Sequence, residues 1–152
     1  MKEKVVGLLN EAREQELHAI SQYMAQHYEL EDQGYGKLGK QLKQIAITEM
    51  KHAEELAERI LFLGGSPVTK PAGEVKKGLS IADLLKNDIQ LESGAVKMYN
   101  DYAKLCAEEG DHISKGIFEK LLADEEEHLD DFQMTLDHVE KLGDVFITTL
   151  IE

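Results

Sequence analysis

Apolar residues recur every three or four positions over four long stretches, the spacing that gathers them on one face of an α-helix. The first stretch runs from about Val5 to Leu30 and breaks at Gly34-Tyr35-Gly36. The second runs from about Leu38 to Leu63 and stops at Gly64-Gly65, a C-terminal signal for a helix. A long connection from Ser66 to about Leu79 holds both prolines, Pro67 and Pro71. Ser80-Ile81-Ala82-Asp83 resembles a capping box with Asp in the last place, and opens a third helix to about Glu109. Gly110 breaks that helix, and a fourth runs from about His112 to Lys141, ending at Gly143. The tail from Val145 to Ile151 reads as a strand or a small fifth helix.

Helices of about 25–30 residues are each roughly 40–45 Å long. Short loops make hairpins of the first pair and of the second pair, and the long connection can cross from one end of the bundle to the other. The expectation is an all-α chain forming one domain over residues 1–152. Its arrangement is a ferritin-like antiparallel four-helix bundle, with a long crossover between the second and third helices and a short C-terminal segment.

The inward stripes are apolar at their ends and ionisable at their centres. The first reads Val5, Leu9, Ala12, Glu16, Ala19, Tyr23, and the second Leu38, Leu42, Ile45, Glu49, His52, Leu56, Leu63. The third reads Ile81, Leu85, Glu92, Ala95, Tyr99, and the fourth Ile117, Leu121, Glu125, His128, Phe132, Val139. Glu49-His52 and Glu125-His128 are Glu-x-x-His pairs, whose three-residue step puts both side chains on one helix face. Four carboxylates buried without compensation would unfold a domain of this size. Two divalent cations would neutralise them. Carboxylate with imidazole suits iron or manganese, and the absence of a nearby thiolate argues against a structural zinc site.

An internal repeat separates this reading from a chance scatter of surface charge. Adding 76 takes Glu16 to Glu92, Glu49 to Glu125, His52 to His128, Tyr23 to Tyr99 and Gly34 to Gly110. Two hairpins with matching ligands would face each other about a pseudo-twofold axis. Tyr23, two turns after Glu16, reads as a hydrogen-bond partner or electron donor beside the metals, or as a core aromatic with a satisfied hydroxyl. His18, His27, His112 and His138 fit no ligand pattern and read as surface residues or residues on the route inward.

The net charge of −13 argues against binding nucleic acid through a basic face. One cysteine, Cys106, rules out an intramolecular disulfide framework and reads as a small buried residue. No apolar run is long enough to span a membrane and the N-terminus has no apolar signal core, so a cytoplasmic setting is expected. Glu126 and Glu127 read as a solvated acidic face, or as carriers of incoming iron.

At this point the chain resembles the bacterioferritins over nearly its whole length. The segments that carry the resemblance are Glu16-Leu17-His18-Ala19-Ile20-Ser21-Gln22-Tyr23, then Glu49-Met50-Lys51-His52-Ala53 with Arg59-Ile60-Leu61-Phe62-Leu63, and Asp124-Glu125-Glu126-Glu127-His128. The resemblance implies a hollow iron-storing shell and a di-iron ferroxidase centre of two iron ions per subunit. It makes Glu16, Glu49, His52, Glu92, Glu125 and His128 the metal ligands, with Glu49 and Glu125 bridging. It places Met50 where the family carries a haem-ligating methionine, so that haem would be shared between two subunits. Met24 and Lys43 depart from the aromatic residues expected around such a haem.

The expected activity is oxidation of Fe²⁺ to Fe³⁺ by oxygen or peroxide, each iron giving one electron, with Tyr23 beside the site. Expected partners are copies of the chain, in a 24-mer shell or a 12-mer, and a ferredoxin-type electron donor. Three alternatives compete with this reading. A rubrerythrin-like peroxidase would normally carry a Cys-rich iron domain, which one cysteine cannot build. A dodecameric mini-ferritin would place its metals between subunits. A non-catalytic interaction bundle would bind no metal.

Overall fold

The computed structural model describes residues 2–152. Four long helices carry the chain: α1 (Lys2–Asp32), α2 (Gly36–Phe62), α3 (Ile81–Glu108) and α4 (His112–Leu142). A short α5 (Asp144–Ile147) and one 3₁₀ turn (Thr148–Leu150) follow. The tail is therefore helical, and no strand occurs among the described residues. Helix α1 packs along α2 and α3 along α4, so the two hairpins are the units from which the bundle is built.

Local chemistry sets the helix ends. Gly34, Gly64 and Gly110 each have φ near +80°, a conformation that costs glycine little. At each the chain closes in the same way: the glycine N–H reaches three residues back and the next N–H five, as in Gly110 to Ala107 and Asp111 to Cys106. Ser80 caps α3, its hydroxyl accepting from the Asp83 amide at 3.2 Å. Asp111 caps α4 in the same way from Ser114, and Arg59 of α2 holds the Asp111 carboxylate at 2.8 Å.

Between α2 and α3 the chain runs back along α1, held by α1 side chains. Asn10 donates to the Ser66 carbonyl and accepts from the Val68 amide. Arg13 reaches the carbonyls of Val68 and Ala53. Gln22 brackets Lys76, donating to its carbonyl and accepting from its amide, both at 2.9 Å. The Glu29 carboxylate accepts from the Gly78 amide.

The core has two apolar clusters. One gathers Tyr23, Leu30, Leu38, Leu42, Leu85 and Phe132. The other gathers Leu9, Leu56, Tyr99, Cys106, Phe118 and Leu121. Burying each phenylalanine stabilises the fold by roughly 1.5–3 kcal/mol. The stripes read from the sequence hold, with small slips at their ends. Phe118 is fully buried while Ile117 is only half-buried, and Leu63, Ile81 and Ala95 are half-buried too. The reason is the drift of a 3.6-residue turn against whole-number spacings, which moves a stripe by one residue over a long helix.

Candidate metal centre

Between the two apolar clusters lies a layer of Glu16, Glu49, His52, Glu92, Glu125 and His128. All six are buried. Each helix brings a middle residue of its inward stripe, and the three-residue step in α2 and α4 turns acid and imidazole toward the same space. His52 Nδ1 lies 2.8 Å from Glu16 Oε2, 3.4 Å from Glu49 Oε1 and 3.7 Å from Glu125 Oε1. His128 Nδ1 lies 3.4 Å from Glu49 Oε1, 3.4 Å from Glu92 Oε1 and 3.3 Å from Glu125 Oε1.

These atoms fall into two overlapping groups. Glu16, Glu49, His52 and Glu125 form one, and Glu49, Glu92, Glu125 and His128 the other, with the ligand atoms of each within 4.8 Å of one another. Glu49 and Glu125 belong to both. The pseudo-twofold relation read from the 76-residue offset is thus present in space. A divalent cation in each group would touch one imidazole, one private carboxylate and two shared ones.

Electrostatics show how unusual the layer is for protein alone. Both oxygens of Glu49, both of Glu125, Glu92 Oε2 and His128 Nδ1 are buried without a hydrogen-bond partner. Buried polar atoms are almost always partnered, so a row of orphans facing one point asks for a cation. Burial, then the charges of Glu16, Glu125 and Glu92, push the Glu49 carboxyl well above its ordinary value. Glu92 is lifted to about 7, chiefly by burial, with His128 pulling the other way. Burial works against a charged imidazole, yet the surrounding carboxylates outweigh it and raise His52 to about 9 and His128 to about 10. The donors are hard oxygens and imidazole nitrogens, suited to iron or manganese. Cys106, the one thiol, lies in the apolar cluster toward the end of α3 and takes no part.

The surroundings hold these side chains in place. His52 presents Nδ1 to the site and is anchored through Nε2, 2.8 Å from Asp124 Oδ2. Such an outer carboxylate fixes the ring orientation of a metal-binding histidine. The Tyr23 hydroxyl donates to Glu92 Oε1 at 2.9 Å. Tyr99, its counterpart by the repeat, stands beside Glu16 but closes no hydrogen bond there. A cavity of about 390 Å³ opens between α1 and α3, lined by Glu16, Glu49, Glu92, Glu125 and, toward solvent, Gln15 and Gln90.

Sequence reading missed two features. Asp124 appeared only as the first residue of the fourth-helix segment that carries the resemblance, with no role of its own, because its counterpart by the repeat is Thr48 and no symmetry marked it. Asp88 of α3 is fully buried against Gln26 of α1, at a place where the sequence stripe passes from Leu85 straight to Glu92. One expectation is corrected. His27 is no surface histidine; it is buried, with Nδ1 2.7 Å from the Gly39 carbonyl, where it ties α1 to the start of α2. His18 faces the Gly73 carbonyl of the crossover, while His112 and His138 are exposed as expected. Met50 is 54% exposed on the outer face of α2.

A ferritin-like domain profile matches residues 6–142. The bacterioferritin of Desulfovibrio desulfuricans is 41% identical over 98% of this chain and 83% of that protein. That of Rhodobacter capsulatus is 40% identical over 92% of this chain and 87% of that protein. The chain belongs to the bacterioferritin family. A solved structure of the D. desulfuricans bacterioferritin, described with its diiron site in different catalytic states, superposes with a TM-score of 0.97 at 41% identity, covering 99% of this chain and 88% of that one. The R. capsulatus bacterioferritin, solved with a metal-free dinuclear site and a haem iron, superposes with a TM-score of 0.94 at 37% identity, covering 98% and 94%. Family membership and the two overlapping clusters together support iron storage. No described helix is long and apolar enough to cross a membrane.

Proposed function

We propose that this chain stores and detoxifies iron by oxidising Fe²⁺ to Fe³⁺ at a centre contained within its own bundle, with oxygen or peroxide as oxidant. The observation that carries the reading is the pair of four-residue clusters sharing Glu49 and Glu125, whose buried oxygens have no partner in the protein. Glu16 and His52 hold one Fe²⁺, Glu92 and His128 the other, and Glu49 and Glu125 span both. Four carboxylates against two divalent ions leave the site neutral before oxidation, and their hard oxygens favour the trivalent product. Each iron gives one electron, so the oxidant takes two together. Tyr23 steadies Glu92 by its hydrogen bond, Asp124 holds the His52 ring, and the α1–α3 cavity admits small reactants.

Two further parts of the reading rest on the outer surface. Met50 supplies a thioether on an exposed helix face, where a second copy of the chain could bring its own Met50 to the opposite side of a haem. Tyr28, Leu61, Phe62 and Val145 are exposed apolar side chains that assembly into a shell of twenty-four, or of twelve, would cover. A ferredoxin-type donor would return electrons to release stored iron.

The test is stopped-flow absorbance after mixing anaerobic Fe²⁺-loaded protein with oxygen, then with peroxide. Glu49→Ala and Glu125→Ala each remove a ligand from both metals, so the fast oxidation of about two Fe²⁺ per subunit should vanish in either. Parent-like fast phases in both variants would overturn the assignment.

A further inference from the structure

One buried ionisable group takes no part in the centre just described. Asp88 is fully buried on α3, one helical turn before Glu92. Its carboxyl faces the side-chain amide of Gln26 from α1, also buried. Gln26 Nε2 donates to Asp88 Oδ1 at 2.8 Å, and the Asn87 amide approaches the same oxygen at 3.4 Å. The other atoms of the two planar groups, Gln26 Oε1 and Asp88 Oδ2, are both buried and both without a partner. Both are acceptors, so neither can satisfy the other as an ionised acid beside an amide. A single proton on Oδ2, donated to Gln26 Oε1, satisfies both and closes the acid–amide pair into a ring of two opposed hydrogen bonds.

We propose that Asp88 is a proton-holding group of the metal centre: it carries its proton in the metal-free protein, shared with Gln26, and releases it when cations fill the adjoining clusters. The step is a simple transfer; the Asp88 O–H bond breaks, the proton leaves to solvent and the carboxylate remains. The balance of the groups that act on Asp88 favours the protonated form. Its pKa is raised to about 8: burial lifts it most, Gln26 and Asn87 pull it back in part, and Glu92 raises it further. Among the described residues, no lysine, arginine or histidine is among the groups that act on it. Cations bound at Glu92 would cancel the negative charge that helps keep Asp88 protonated, and would favour its ionisation directly. The repeat places Ala12 at the matching point of α1, so only the Glu92–His128 half of the centre has such a group.

The metal-free part stands without the ferroxidase reading; the release part rests on the metal centre but on no oxidation. The test compares the parent with Asp88→Asn. Infrared difference spectra of metal-free protein at pH 7 should show a carboxylic-acid C=O band that the substitution removes. The introduced amide keeps the same ring by donating to Gln26 Oε1, so the variant should melt no lower than the parent in chelator. Loading with Zn²⁺ alone in weakly buffered solution should release about one proton per subunit fewer from the variant, since one group that binds its proton in the empty state is gone. Absence of the acid band in the parent, or a variant that melts well below it, overturns the shared proton. Equal proton release from parent and variant, or no Zn²⁺ bound to either, overturns the coupling. Failure of iron oxidation alone would leave all of these readouts intact, so the two readings fail separately.

Discussion

Replacing Glu49 by Gln should make the empty protein more stable and the metal-loaded protein less stable than the parent. Glu49 is fully buried, with both oxygens unpartnered, among Glu16, Glu125 and Glu92. Its folded pKa lies well above the unfolded value of 4.5. The contribution of such a group is fully present below pH 4.5 and is lost as pH rises toward the folded value, because the folded state must retain a proton that the unfolded chain gives up. Between pH 4.5 and pH 7 that loss grows as the unfolded chain ionises and the folded carboxyl does not. Glutamine cannot ionise and escapes it. Each kcal/mol gained raises the melting temperature by roughly 2–4 °C for a chain this long. With metal the sign reverses. Two sites at a hundred times their dissociation constants stabilise the parent by about 5 kcal/mol, and the substitution weakens both because both clusters share the residue. The assay is calorimetry of parent and Glu49→Gln at pH 7 in chelator and in excess Co²⁺, repeated in chelator at pH 5. The difference in chelator should shrink at pH 5. A variant that melts below the parent in chelator, or that gains as much from Co²⁺, would refute the reasoning.

Light scattering on purified protein should report a large assembly, and a clean monomer would remove the shell from the reading. Protein made with haem supplied should show a haem band that Met50→Leu abolishes; an unchanged band would place the ligand elsewhere, and no band in the parent would remove haem altogether. Asp111 has its pKa lowered: burial opposes this, but the Ser114 amide and hydroxyl and the Arg59 guanidinium outweigh it. Its stabilisation is therefore present above the ordinary aspartate value and lost as pH falls through the lowered one. Asp111→Asn should cost stability at pH 7 and very little in strong acid, as read from denaturation midpoints across pH.

Much of the centre was legible because two independent regularities coincided. Helical spacing placed Glu16, Glu49, His52, Glu92, Glu125 and His128 on inward faces, and the 76-residue offset paired them. Residues outside both regularities stayed hidden. Asp124 neighbours Glu125 but sits about 100° round the helix from it, and its counterpart is threonine. Asp88 follows the inward period, yet a lone aspartate in a helix is ordinarily exposed, and its burial depends on Gln26 from another helix. His27 was hidden for the same reason: its partner is a backbone carbonyl across the α1–α2 turn, which side-chain patterns do not encode. The tail left strand and helix open because seven residues are too few to establish a period; the structure resolves it through Leu150, buried in the core, and Lys40, paired with Glu152.

The crossover has a consequence for how the chain tolerates change. Its fastenings read backbone: the carbonyls of Ser66, Val68, Gly73 and Lys76, and the amides of Val68, Ala72, Lys76 and Gly78. The side chains between them are largely spectators. Substitutions along residues 69–77 should therefore be mild, whereas adding or deleting one residue would move every carbonyl and amide past its clasp. The specificity of this segment is written in Asn10, Arg13 and Gln22 of the first helix, and what it demands of the connection is length.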